Sequence, residues 1–413
     1  MKRAAAAALC IAAAAARGAF AQAPTAEPGS ELTISLVTMG PGKYVWERFG
    51  HNAIRVTDTS TGADTAYNYG MFDFGHENFF SNFANGEMDY WMEGADASRM
   101  FRAYMRDDRS VWVQVLDLTP GQRLELLEFL RWNERPENRF YRYHYYYDNC
   151  STRVRDALDR VLGGAIRSAF DSVPTGATFR SHSRRLTEND LFIYTGINIG
   201  LGRPTDRPIT AWEEMFLPLA LREHVRTITV PDANGAARPL VTSEETLYLS
   251  TLEPPPESPP RWWPRYLAVG VLVGGLLALA GRRRHASRGA RTGFVLLGML
   301  WALVAGIAGL ALAYLWLFTA HVTSYANENL LHFFPLSLAL VALIPLAVHR
   351  PASLAAARRI AATVAVLSVL GLLLKLLPGN QVNGEIIALA LPVHLGLVAG
   401  LGRSRADPAK PGL

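Results

Sequence analysis

Cys150 stands in the run Asp148-Asn149-Cys150-Ser151-Thr152-Arg153, just ahead of Val154, Leu158, Val161 and Leu162, whose spacing predicts one face of a helix stopped by Gly163. A cysteine at a helix N-terminus sees unpaired backbone N–H groups and the positive end of the helix dipole. Both lower the thiol pKa and favour the nucleophilic thiolate. The same N–H groups would stabilise an oxyanion. A lone cysteine is more often buried and inert, yet this one has polar residues on both sides.

Such a nucleophile needs a base, usually a histidine supplied by the fold. The candidates are His51, His76, His144, His182 and His224. His51 follows Gly50 and opens the strand-like run Asn52–Val56, so it can face a helix N-terminus laid across a sheet. His144 lies in the aromatic run Phe140–Tyr147, which reads as packing or an interfacial surface. For the group that orients the imidazole, the next strand offers Asn68 and the turn after it Asp73. Arg55 could pair with Asp73, meet a phosphate or form a plain surface ion pair.

These residues need a mixed α and β frame. Leu32–Val37, Asn52–Val56, Thr65–Tyr69 and Val111–Leu118 alternate as strands do. Thr119 as N-cap, Pro120 and Gln122 open a helix with a capping box. Other chemistries lack their motifs. Gly40-Pro41-Gly42-Lys43 is too short for a phosphate loop, and Gly196–Gly202 does not open a helix as a dinucleotide fingerprint would. No G-x-S-x-G elbow, no H-E-x-x-H and no Cys/His cluster of zinc spacing occurs, so neither metal nor cofactor is expected.

The 413 residues are 50% hydrophobic and 19% charged, and the charge is unevenly spread. From Arg261 onward 14 Lys/Arg face 3 Asp/Glu, whereas the first 260 residues hold 27 basic and 33 acidic residues. An acidic first part argues against nucleic acid. The C-terminal part holds five apolar stretches near 266–281, 293–318, 330–348, 360–377 and 384–401, about the length that crosses a bilayer. Their loops alternate: Arg282, Arg283, Arg284, Arg288 and Arg291 in the first, Arg350, Arg358 and Arg359 in the third, and Lys and Arg absent from the second and fourth. The positive-inside rule then places 22–260 outside the cytoplasm and the C-terminus inside. Lys2, Arg3, the Ala4–Ala16 run and Ala19-Phe20-Ala21 read as a cleavable secretory signal, in agreement. Cleavage removes Cys10 and leaves Cys150 as an unpaired thiol in an oxidising compartment, a liability unless used. The expected organisation is a signal at 1–21, a periplasmic domain at 22–253, a Pro-rich linker at 254–264, a five-helix transmembrane domain at 265–402 and a cytoplasmic tail at 403–413.

A histidine-bearing strand followed later by Asn-Cys opening a helix resembles the circularly permuted papain-like (NlpC/P60-like) superfamily, which includes the lecithin:retinol acyltransferase-like enzymes. More closely, Trp46–Val56, Tyr67–Phe74 and Tyr147–Arg153 resemble the Lnb N-terminal periplasmic domain family, and Asn327-Glu328-Asn329-Leu330-Leu331 with Pro335-Leu336 continue the resemblance into the membrane part. The resemblance implies a permuted papain-like α+β domain with His51 and Cys150 as a thiol pair, followed by the helical bundle. It also implies a multi-pass protein of the bacterial inner membrane. A member of that family is associated with lipoprotein N-acylation, moving a fatty acyl chain from a phospholipid donor to the terminal amine of a lipoprotein.

Three classes of function remain. One is a membrane-bound thiol acyltransferase with a phospholipid donor and a lipoprotein or other amine acceptor. Another is a cysteine amidase or peptidase acting on cell-wall peptides. The third is a non-enzymatic membrane protein that binds a ligand. Five spans favour the first, since a wall hydrolase needs at most one anchor. Polar residues are costly at a membrane, so His321, Asn327, Asn329, His332, Gln381 and Asn383 form an expected rim for a lipid or lipoprotein head group, or else cap helices and solvate loops.

Overall fold

The computed structural model describes residues 27–75, 77–231 and 235–402. The expected signal segment, the tail at 403–413 and the candidate base His76 lie outside the described residues.

Seven antiparallel strands form the main sheet: β1 Leu32–Met39, β2 His51–Asp58, β3 Ala63–Met71, β4 Asp89–Asp96, β5 Val111–Leu116, β6 Phe140–Arg142 and β7 Val241–Tyr248, ordered β7-β5-β1-β2-β3-β4-β6. The period-two alternation of β1 sends Leu32, Ile34 and Leu36 to one face and Val37 and Met39 to the other. Both faces are covered. The first packs on helix α3 (Pro120–Glu134) and helix α4 (Cys150–Val161), through Leu126, Leu127, Leu130, Val154 and Leu158. The second packs on helix α2 (Ala97–Arg106), through Ala97, Met100 and Phe101. A short helix α1 (Phe79–Asn85) precedes β4. The N-terminus of α3 has the expected capping box, with the Thr119 side chain accepting from the Gln122 N–H.

Two further helices, α5 (Phe179–Leu186) and α6 (Leu191–Gly200), lie between the sheet and the C-terminal bundle. The bundle has five helices long and apolar enough to span a membrane: α7 (Trp263–Arg282), α8 (Arg288–Phe318), the segment Glu328–Ala347 ending in α9 (Leu338–Ala347), the segment Pro351–Leu376 containing α10 (Pro351–Leu373), and α11 (Gly384–Leu401). The first and last pack backbone on backbone. A Cβ at Gly274 would lie 2.2 Å from the Pro392 carbonyl oxygen, and one at Gly396 would lie 2.1 Å from that of Gly274. Only glycine permits that approach, as small residues do between membrane helices.

Candidate functional site

Gly50, at φ +84°, turns the chain into β2, and His51 is the first residue of that strand, opposite Met39 of β1. Its Nε2 lies 3.1 Å from Oδ1 of Asn68 on β3. Asn68 is buried and donates its own Nδ2 to the Ala66 carbonyl (3.1 Å), which leaves Oδ1 facing the imidazole. The Tyr104 ring of α2 stacks on His51, centroids 6.1 Å apart at 10°. Arg109 lies 4.6 Å over Tyr104, its Nε donating to the Gly40 carbonyl (2.9 Å).

Cys150 opens α4 as expected. Asn149 is the N-cap: its Oδ1 accepts from the Ser151 and Thr152 N–H groups, both at 2.9 Å, and its Nδ2 donates to the carbonyls of Tyr145 (2.8 Å) and Phe216 (2.9 Å). The Ser151 hydroxyl donates to Oδ1 of Asn52 (2.8 Å), which fastens the first turn of α4 to the residue after His51. Gly70 of β3, at φ +84°, leaves room beside the thiol, for a Cβ there would meet Cys150 Cβ at 3.4 Å and the Tyr143 ring at 3.5 Å. Cys150 and His51 thus share one neighbourhood, bounded by Asn52, Tyr104 and Arg109.

The electrostatics differ from the expectation of a depressed thiol pKa. Burial pushes Cys150 up to about 11, outweighing the backbone N–H groups of Asn52, Ser151 and Cys150 and the positive charge of Arg109. Burial likewise lowers His51 to about 4, against the opposing hydrogen bond to Asn68. The resting site therefore holds a neutral thiol and a neutral imidazole. With Oδ1 of Asn68 accepting from Nε2–H, Nδ1 keeps the lone pair that can take a proton.

The other described candidate histidines are engaged elsewhere. His144 Nδ1 accepts from the Tyr146 and Tyr147 N–H groups, both 3.2 Å, and its ring stacks on Tyr147. His182 and His224 lie against the two carboxylate oxygens of Glu214, at 3.0 and 3.1 Å. Asp73 is exposed and its Oδ1 accepts from the Gly75 N–H (2.8 Å), so Asn68 and not Asp73 holds the imidazole. Arg55 is bound to neither Asp73 nor an open anion site. Its fork donates Nε and Nη2 to the Asp64 carboxylate across the β2–β3 pair, both at 2.7 Å.

The polar residues at the bundle end do not form an open rim. Asn327 donates to the carbonyls of Ile199 (2.8 Å) and Gly200 (3.0 Å), Asn329 to Asn198 (3.2 Å) and Ile199 (3.0 Å), and Gln381 to Leu201 (2.9 Å). The last turn of a helix leaves carbonyls without partners, and these three amides supply α6 with them. Asn383 in turn donates to Asn329 Oδ1 (2.8 Å). His332 is fully buried in the bundle against Gly371. His321, expected in the same rim, joins Tyr145 OH (3.0 Å) to the Phe83 carbonyl (2.9 Å). The expected head-group rim is a dock holding the sheet domain on the bundle.

Residues 20–185 match the Lnb N-terminal periplasmic domain, and residues 268–399 match the Lnb transmembrane domain. The chain belongs to the Lnb family. No curated protein and no solved structure matches it. The two matched regions of this Lnb-family chain are the sheet domain with its thiol and the five-helix bundle, and the dock joins them.

Two groups of this Lnb-family site escape a reading by motif. Arg109 bears on both Cys150 and His51 from outside any recognisable pattern. Glu385 on α11 is buried and accepts from Arg184 (2.8 Å), Tyr194 OH (2.8 Å) and Asn198 Nδ2 (3.0 Å), all on α5 and α6. The signal for Glu385 was in the sequence all the same: it is one of three acidic residues after Arg261, and it opens an apolar helix.

Proposed function

We propose that the protein is a membrane-bound thiol acyltransferase that moves a fatty acyl chain from a phospholipid through a Cys150 thioester to an amine, the N-terminus of a lipoprotein being the acceptor class. The observation that carries this reading is a buried thiol at a helix N-terminus sharing Arg109 and the Asn52 backbone as neighbours with an imidazole held at Nε2 by Asn68. His51 Nδ1 takes the thiol proton as Sγ attacks the ester carbonyl, and the N–H groups around Cys150 receive the developing oxyanion. The carbon–oxygen bond breaks, the leaving alcohol takes the proton from His51, and the thioester remains. The acceptor amine then attacks the thioester carbonyl and loses its proton to His51. As the carbon–sulfur bond breaks, the thiol regains a proton and an amide is released. The neutral resting pair suits this sequence, since the charges form only as substrate excludes water.

The bundle supports the same reading, since Glu385, Asn327, Asn329 and Gln381 hold the thiol domain against helices that would lie in lipid. The test is mass spectrometry of full-length protein incubated with phospholipid vesicles. A mass added to Cys150, released by hydroxylamine and absent from Cys150→Ala, is expected. Undiminished acyl transfer by Cys150→Ala would overturn the reading.

A further inference from the structure

A strip of aromatic rings leads from the thiol to the bundle. Tyr143, beside the Gly70 gap, stacks on Tyr90 with centroids 4.4 Å apart. Tyr90 meets Phe72 at 5.1 Å, Phe72 meets Phe79 at 5.8 Å, and Phe79 meets Phe83 at 6.3 Å. Phe83 then meets the edge of His321 on the loop after α8. Helix α1 carries the outer part of the strip and is pinned to the bundle at its last residue. The Ala320 N–H donates to the Asn85 carbonyl (2.8 Å), and Tyr314 OH donates to Asn85 Oδ1 (2.6 Å). Tyr314 stacks with Phe318, which is 72% exposed on the flank of the spanning helix.

These aromatics do not close into a core. Phe80 is 72% exposed and Phe83 43%, an unusual expenditure of apolar surface on a seven-residue helix. Between α1 and β4 lies a hollow of about 320 Å3, walled by Phe79, Phe83, Met88, Tyr90, Trp91 and Phe140, with Asp73, Asn82 and Asp89 completing its lining. Among the described residues no Lys or Arg lines it, and the carboxylates of Asp73 and Asp89 repel a phosphate. Its six apolar and aromatic walls leave a hydrocarbon chain as the occupant that fits.

We propose that this strip is the acyl-chain channel of the site: the fatty chain of a membrane lipid leaves the bilayer beside Tyr314, lies along Phe83, Phe79 and Phe72, and brings its carbonyl end to Cys150. The inference rests on the acyl-transfer reading for what happens at the thiol, while the placement of the chain stands on the aromatic strip itself. A second hollow of about 320 Å3, walled by Trp316, Leu331, Leu374, Leu377 and Arg203 at the bundle end, is the rival place for a lipid.

The experiment uses full-length protein in nanodiscs of phosphatidylcholine carrying a diazirine near the end of one acyl chain. Irradiation followed by peptide mapping is expected to find crosslinks in residues 72–91, and Met88→Trp, which fills the hollow, should cut them at least tenfold. In a parallel assay, Met88→Trp should lower loading of Cys150 by a sixteen-carbon donor at least tenfold and leave its reaction with a four-carbon aryl ester within twofold. Crosslinks centred on Trp316 and Leu377, or spread evenly over the bundle flanks, would overturn the channel. Equal loss with long and short donors would overturn it too. Crosslinking reads the chain whether or not Cys150 reacts: a silent thiol with crosslinks at Phe79 defeats the acyl-transfer reading alone, and a thioester without them defeats the channel alone.

Discussion

His51 Nε2 and Asn68 Oδ1 stand 3.1 Å apart, and the contact selects one tautomer of the imidazole, because the Asn68 amide is already oriented by its bond to Ala66. The proton sits on Nε2 and the lone pair on Nδ1. A carboxylate is not needed for this, only an acceptor in a fixed place.

Asn68→Ala should therefore let the ring turn and lower acyl loading of Cys150 about 100-fold, within the range that general base catalysis contributes. Stability should fall by only about 1 kcal/mol, the usual worth of one such bond. Loading rates and thermal melting of the same samples check both. Unchanged loading would remove Asn68 from the site.

The thiol should titrate late. With Cys150 pushed up to about 11 and His51 held near 4 by burial, no thiolate–imidazolium pair forms at neutral pH. Alkylation by iodoacetamide should then rise about tenfold per pH unit between pH 7 and 10, following the thiolate fraction. Arg109→Gln should slow it at every pH, since the lost positive charge raises the thiol further. A plateau beginning near pH 7 would contradict this.

Gly70→Ala tests the room beside the thiol. The position has φ +84°, which costs a residue with a Cβ roughly 1–2 kcal/mol, and the new methyl would fill the space against Cys150 Cβ and Tyr143. The expected outcome is a modest fall in melting temperature with a much larger fall in alkylation rate. Equal alkylation of Gly70→Ala and the parent would mean the gap is not the approach to the thiol.

Glu385→Ala should loosen the two domains. It strands Arg184, Tyr194 and Asn198, and removing one partner of a buried ion pair costs about 3–5 kcal/mol. Limited proteolysis should cut the Pro-rich linker 254–264 faster in the variant, whereas Glu385→Gln should behave closer to the parent. Identical digestion of all three would show that the dock does not depend on this carboxylate.

Topology can be read with a reporter active only outside the cytoplasm. Fusions after Pro260 and at Ser324 are expected to be active, and fusions at Ser287 and Ser353 silent, from the Arg content of the intervening loops. Activity at Ser287 would reverse or break the five-span order.

What the sequence made legible was local. The alternation of β1 to β3, the Thr119 capping box, the helix opening at Cys150 and the five apolar stretches each depend on neighbours a few residues apart, and each is found. Strand β7 was missed because its pairing with β5 joins residues far apart in the chain, and its own sequence, Val241–Tyr248, is largely polar. The polar rim was visible but its partners were not: backbone carbonyls of α6 have no signature in side-chain types. The thiol was misjudged for a similar reason. A helix N-terminus can be read from sequence, and the depth at which the fold buries it cannot.

The glycine contact between α7 and α11 bears on how the protein is made. Synthesis delivers the first span long before the last, so the bundle stays open until the final helix inserts. Glu385, Gln381 and Asn383 arrive with that helix, after the whole sheet domain has emerged. The sheet domain must therefore complete its own core unaided and wait, tethered by its linker, for its seat to be assembled beneath it. A chain cut short before Gly384 would keep the contacts of Tyr314, His321, Asn327 and Asn329 but lose Glu385 and the helix that closes the bundle.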